Sequence, residues 1–107
     1  MQGEGSGFDT LLVGDAQSLR LHVRGDIDAS SLDSFCAALG AALADPPFLL
    51  VVDLAAVGFM GGYALDKLVE ADERARSLGV ALVVVGAGRA VRRVFEIGAH
   101  AELLERR

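Results

Sequence analysis

The stretch FLLVVDLAAVGFMGGYALDKL, Phe48 to Leu68, decides the fold. Phe48 to Leu54 is a short, almost continuous apolar run, the pattern of a central strand covered on both faces. Gly61 and Gly62 interrupt it, and from Gly62 the apolar spacing changes to three and four, with Ala64, Leu68, Ala71, Ala75 and Leu78 on one stripe of a helix. The eighteen residues from Phe48 to Leu65 approach the roughly 20 that span a bilayer. Asp53 and three glycines lie inside them, and no basic residues stand at their near end, so a buried strand, a turn and a helix account for the stretch and membrane insertion does not.

Upstream, Phe8 to Val13 and Leu19 to Val23 read as strands. The second alternates Leu19, Leu21 and Val23 with Arg20, His22 and Arg24, which makes it half exposed. VGDAQS between them has turn chemistry at hairpin length and predicts antiparallel pairing. After RGDIDASS, Leu32, Phe35, Cys36, Leu39 and Leu43 mark an amphipathic helix, with Ser30 or Ser31 as its cap and Asp33 in its first turn. Asp45, Pro46 and Pro47 end it.

Downstream, Glu70 and Arg74, and Asp72 and Arg76, are spaced for surface ion pairs, and Gly79 suits a left-handed helix cap. Val80 to Val85 follows as an apolar strand, GAGRAVRRVFEIG as a short third helix with Val91, Val94 and Phe95 inward, and Glu102 to Leu104 as a weak last strand. The alternation of helix and strand predicts parallel crossovers, hence an α/β fold with a mixed, mainly parallel sheet of about five strands. One domain over residues 8–107 is expected, preceded by a frayed, glycine-rich tail over 1–7.

With 107 residues, 52% of them apolar, the chain can bury a core without disulfides or metal. The net charge of −5 and the dispersed basic residues give no footprint for nucleic acid or an anionic membrane surface. Cys36 is the only cysteine, which rules out an internal disulfide and a multi-thiolate zinc site, and with no signal-peptide pattern a cytoplasmic location is expected.

In an open α/β sheet, partners bind where strands lead into helices. GDIDASS, GFMGGY and GAGRA are three such places and should share one edge. GAGRA lacks the third glycine of a dinucleotide fingerprint, and Lys67, the only lysine, has no phosphate-loop context. Asp26 and Asp28 suit docking or capping better than a metal, which wants more oxygen ligands. His22 and His100 have no nucleophile partner in evidence, so neither an enzyme nor a cofactor is expected. Tyr63 either packs over the turn or stands out as an interface anchor, and Gly61 and Gly62 permit positive backbone angles or the close approach of another chain.

RGDIDASS, LLVVDLAAVGFM, GGYALDKLVEADERARSLG and ALVVVGAGRAVRRVFEIGAHAELL, in this order, resemble the STAS domain, the family of bacterial anti-sigma factor antagonists and of the cytoplasmic domains of sulfate transporters. In its regulatory members the turn after the central strand reads aspartate, serine or threonine, a small residue, glycine. An ATP-dependent kinase that is also the anti-sigma factor phosphorylates the hydroxyl. The resemblance places Gly61 at the aspartate, Gly62 at the phosphoacceptor, Tyr63 at the small residue and Ala64 at the glycine. It therefore implies a transcription regulator that binds an anti-sigma factor/serine kinase-type ATPase without the usual phospho-switch. Asp26, Asp28, Ser30, Ser31, Gly61, Gly62, Tyr63, Leu65 and Asp66 would form the contact. The rival readings are a STAS subunit or scaffold of a larger complex, such as a lipid-transport ATPase, and a small-anion or nucleotide-binding module. The oligomeric state stays open, a homodimer included.

Overall fold

The computed structural model describes residues 7–104. Most of the expected tail 1–7 and the end of the expected domain at 105–107 lie outside the described residues. Strands β1 (Asp9–Gly14) and β2 (Ser18–Arg24) are followed by α1 (Leu32–Ala44), β3 (Leu49–Ala56), α2 (Gly62–Ser77), β4 (Ala81–Val85) and α3 (Arg89–Ile97). The sheet order is β1-β2-β3-β4, with β1 antiparallel to β2 and β2, β3 and β4 mutually parallel.

Local chemistry accounts for the ends of these elements. In the hairpin, Asp15 Oδ1 accepts the amides of Gln17 and Ser18 at 3.0 and 3.3 Å. Gly14 has φ +133°, and a Cβ there would strike the Ser18 carbonyl. Gly79, at φ +76°, follows the C-cap of α2 as its sequence position suggested. In the last turns of that helix Arg76 reaches Asp72 at 2.8 Å, whereas Glu70 turns to Lys67 at 3.6 Å rather than to Arg74.

The core lies on one side of the sheet. Leu21 and Val23 of β2, Leu50, Val52 and Leu54 of β3 and Val84 of β4 meet Phe35, Leu39 and Leu43 of α1, Leu65 and Leu68 of α2, and Val91 and Phe95 of α3 in one buried cluster. Full burial of each large side chain contributes about 1.5–3 kcal/mol. β3 is central, but it is not covered on both faces by helices. Its opposite face carries Val51, outside that cluster, and Asp53, whose Oδ2 lies 3.2 Å from Arg20 Nε and 3.5 Å from His22 Nδ1. The single charge in the apolar run thus belongs to an ion cluster on the open side of the sheet. Asp53 Oδ1 also accepts the Ala55 amide at 3.0 Å.

The sheet has four strands among the described residues, not five. Residues Ala101–Leu103 form a 3-10 turn instead of a strand, because the Leu103 and Leu104 amides bond back to the His100 and Ala101 carbonyls. What remains of the expected pairing is a single parallel bridge between Leu104 and Val84.

Candidate docking surface

Because β2, β3 and β4 run parallel, the chain leaves all three at the same edge of the sheet, and the three glycine-containing loops gather there as their positions predicted. Two of them are joined by backbone. Ile27 donates its amide to the Phe59 carbonyl at 2.8 Å, and Gly61 donates to the Ile27 carbonyl at 2.9 Å. Ile27 and Met60, which form this bridge, are both buried. Their anchoring leaves Asp26, Asp28, Ala29 and Ser30 of one loop and Phe59 of the other facing outward.

The loop before α1 is held by its own side chains. Ser31 is buried, donates its hydroxyl to the Asp26 carbonyl at 2.7 Å and accepts the Asp28 amide at 3.0 Å. It therefore does not cap α1, as expected of Ser30 or Ser31. Its backbone is already helical at φ −112° and ψ −1°, and no side-chain cap bond forms. A capping serine needs an extended backbone that swings its oxygen over the first amides. Ser30 is committed elsewhere too, since its hydroxyl and amide both donate to Asp28 Oδ1, at 2.7 and 3.0 Å. The Ser30 hydroxyl holds the Asp28 carboxyl below its ordinary pKa against the opposing effect of burial, with the Ser30 and Ser31 amides adding to the lowering. Asp28 thus stays ionised at the rim.

Gly61 is the N-cap position before α2, with an extended backbone at φ −76° and ψ 161°. Neither Gly61 nor Gly62 uses the positive φ that glycine allows. A Cβ on Gly62 would meet nothing within 4 Å, so no neighbour demands the glycine; the first residue of the helix offers bare backbone to solvent.

Beside it stands Tyr63, 79% exposed, which resolves its two readings in favour of an outward side chain. On one side of Tyr63 is a groove of about 380 Å³ lined by Ile27, Asp28, Leu32, Phe59 and Ala64. On the other, between α2 and α3, is a groove of about 470 Å³ lined by Leu65, Asp66, Val94 and Ile97.

The nine residues singled out in the sequence gather at this edge, but not in one role. Asp26, Asp28, Ser30, Gly62, Tyr63 and Asp66 are exposed, Gly61 is half-buried, and Ser31 and Leu65 are buried. Leu65 packs at the floor of the second groove, where a Cβ on Gly98 would strike its Cδ2 at 2.5 Å. Ser31 shapes the loop from within.

Ile97, 76% exposed, is the residue that sequence reading missed. Its signal was an apolar side chain two positions after Phe95, off the stripe of Val91, Val94 and Phe95.

The third loop is built for a close approach. Gly86 has φ +75°, and a Cβ there would lie 2.9 Å from Ala55 Cβ and 3.0 Å from Asp53 Oδ1. His22 sits on the open sheet face beside Asp53, and His100 Nδ1 lies 3.3 Å from Glu102, so neither histidine belongs to the loop edge. Among the described residues no group of three or more histidine, cysteine or carboxylate side chains converges on a metal position, and no helix is long and apolar enough to cross a membrane.

Against this geometry, the family model described as Mlab, STAS domain, matches residues 11–105. An anti-sigma factor antagonist from Mycobacterium paratuberculosis superposes with a TM-score of 0.82 at 30% identity, over 91% of this chain and 82% of that one. The anti-sigma factor antagonist SpoIIAA in its unphosphorylated form gives 0.79 at 11% identity, over 91% and 86%. A sulfate transporter family protein from Wolinella succinogenes gives 0.71 at 13% identity, over 86% and 79%. The last two likenesses speak to the fold alone. No curated protein matches the sequence. With nearly all of its length matched by the family model and its fold shared with antagonists, the chain belongs to the STAS domain family.

Proposed function

We propose that this chain is a non-catalytic docking module of the anti-sigma factor antagonist type, and that it binds its partner without a phosphorylation switch at the start of α2. The partner is an anti-sigma factor/serine kinase-type ATPase in the bacterial cytoplasm, and the outcome is regulation of transcription. The observation that carries this reading is the bare helix start at Gly62, flanked by the exposed Tyr63 and by two apolar grooves. An aromatic anchor between apolar hollows with a polar rim is the composition of protein interfaces. The 30% identity to a mycobacterial antagonist supports the choice of partner class.

A phosphate at this place would add a charge of about −1.5 to −2 beside Asp28 and Asp66 and repel an acidic partner or reorganise a basic one. Glycine at position 62 offers no oxygen to carry it. The same missing hydroxyl suits permanent assembly, which is why a scaffold role, for instance beside a lipid-transport ATPase, is the second reading.

Capture from a lysate of the source organism, with the wild-type chain and Tyr63→Asp as baits, tests the proposal. An ATPase of the anti-sigma kinase type retained by the wild type and lost by Tyr63→Asp is the expected result. Recovery of transporter subunits instead would replace the antagonist reading with the scaffold one.

A further inference from the structure

We infer that the groove between the loop before α1 and the start of α2 binds a small organic cation, a quaternary ammonium of the choline type. The groove holds about 380 Å³, inside the range of about 300–1,000 Å³ usual for small-molecule sites. Ile27, Leu32 and Ala64 line it with aliphatic surface, Phe59 and Tyr63 with aromatic rings and Asp28 with a carboxylate. No basic residue lines it. The inference goes beyond the docking reading and needs no protein partner.

Charge selects the sign of the occupant. Asp28 and its neighbour Asp26 are exposed, and among the described residues neither forms an ion pair. The Ser30 hydroxyl and amide both bond Asp28 Oδ1, which fixes the carboxyl and leaves Oδ2 without a hydrogen bond from the described residues. Phe59 and Tyr63 are 52 and 79% exposed, so neither ring serves the core. The negative face of such a ring attracts a cation within about 6 Å of its centroid and repels an anion.

Hydrogen bonding selects the kind of cation. A primary ammonium brings three donors and a guanidinium five, and a donor buried without an acceptor is costly. Of the lining side chains only Asp28 and Tyr63 carry an oxygen, and the Ile27 carbonyl already accepts the Gly61 amide at 2.9 Å. A quaternary ammonium has no N–H to satisfy and turns methyl groups toward Ile27, Leu32 and the two rings. The walls are set before it arrives, because the bonds from Ile27 to Phe59 and from Gly61 to Ile27 join the two loops. The Phe59 ring leans toward the helix entrance, with its Cε2 3.8 Å from where a Cβ on Gly61 would stand.

Amide chemical shifts of the full chain, followed by NMR at fixed ionic strength, test the site with three probes. Choline is expected to give saturable shifts confined to residues 27–32 and 59–64. Its neutral isostere 3,3-dimethyl-1-butanol and its primary-amine counterpart ethanolamine should each bind at least about tenfold more weakly. Asp28→Asn keeps an oxygen for the Ser30 bonds and removes the charge, so it should weaken choline at least about tenfold with an unchanged unfolding midpoint. Phe59→Leu should weaken choline and leave the neutral alcohol unaffected. Vesicles of phosphatidylcholine carry the same head group. If they bind and choline displaces them, the source is lipid, and if they do not bind while choline does, it is a free molecule. No saturable response to choline would overturn the inference. So would equal binding of the neutral alcohol, tighter binding of ethanolamine, or an Asp28→Asn chain that binds choline like the wild type.

Discussion

Replacing Gly62 by aspartate separates what the start of α2 does for folding from what it does for binding. A Cβ at position 62 meets nothing within 4 Å, and the backbone there has no positive φ, so the new side chain brings no steric cost. Losing glycine's freedom in the unfolded chain stabilises by about 0.4–1 kcal/mol. The first turn of α2 has no acidic residue and no side-chain cap, so a carboxylate at the positive end of the helix dipole adds about 0.3–1 kcal/mol. Together they come to about 1 kcal/mol, which raises the melting temperature of a domain of this size by about 4–8 °C. The same charge imitates a phosphate and should weaken partner binding at least about tenfold, a loss of about 1.4 kcal/mol. Gly62→Ala, which adds the Cβ alone, should stabilise by the smaller entropic amount and keep the affinity. Thermal unfolding at low and high salt, beside calorimetric titration with the partner, reads all of these effects, and the electrostatic share of stability should shrink with salt. A Gly62→Asp chain destabilised by more than 1 kcal/mol, or one that binds as well as the wild type, would refute the reasoning.

Ser31→Ala should cost about 1–3 kcal/mol in chemical denaturation, because the buried hydroxyl joins the Asp26 carbonyl to the Asp28 amide, and a loss below a few tenths would deny it that role. Gly40→Ala should stabilise by about 0.5–1 kcal/mol, since Gly40 lies inside α1 and a Cβ there has open space, and a destabilised variant would show an unseen constraint. Ser30→Ala should move the Asp28 carboxyl back up toward its ordinary pKa in an NMR titration. Its folded pKa is depressed, so the stabilisation it gives is present above the unfolded pKa and lost as acid protonates the folded form. The wild type should therefore be the more stable of the two near neutrality, with the difference lost as acid protonates Asp28 in both proteins, and an unmoved Asp28 titration contradicts the hydrogen-bond account.

Periodicity made most of the fold legible. Apolar alternation in β2 and the three-and-four spacing in α1 and α2 follow from burial on one side, and the structure buries Leu21, Val23, Phe35, Leu39, Leu68 and Ala75 as those patterns require. What a one-dimensional pattern lacks is the neighbour. Val51 looks doubly buried by composition, yet it is shielded within the sheet, paired to Arg20 and Val83, without a helix above it. Leu104 looked like part of a strand, but a single bridge was all that the preceding 3-10 turn left to it.

The candidate site divides in the same way. Its loops were visible from turn chemistry and from the order of the strands. The inward turn of the Ser31 hydroxyl and the burial of Leu65 depend on contacts distant in sequence. The approach of Ile97 to Asp66 across the second groove depends on how α3 lies against α2.

The central claim is docking at the start of α2 without covalent switching, and it is tested most directly by titrating the purified chain with the anti-sigma kinase-type ATPase of its own organism. The titration is done before and after prolonged incubation with ATP and magnesium, with the intact mass recorded each time. The account predicts saturable binding of equal affinity in both titrations and no added phosphate. Phosphate on Ser30, Ser31 or Tyr63 with release of the partner, or no binding in either titration, would contradict it.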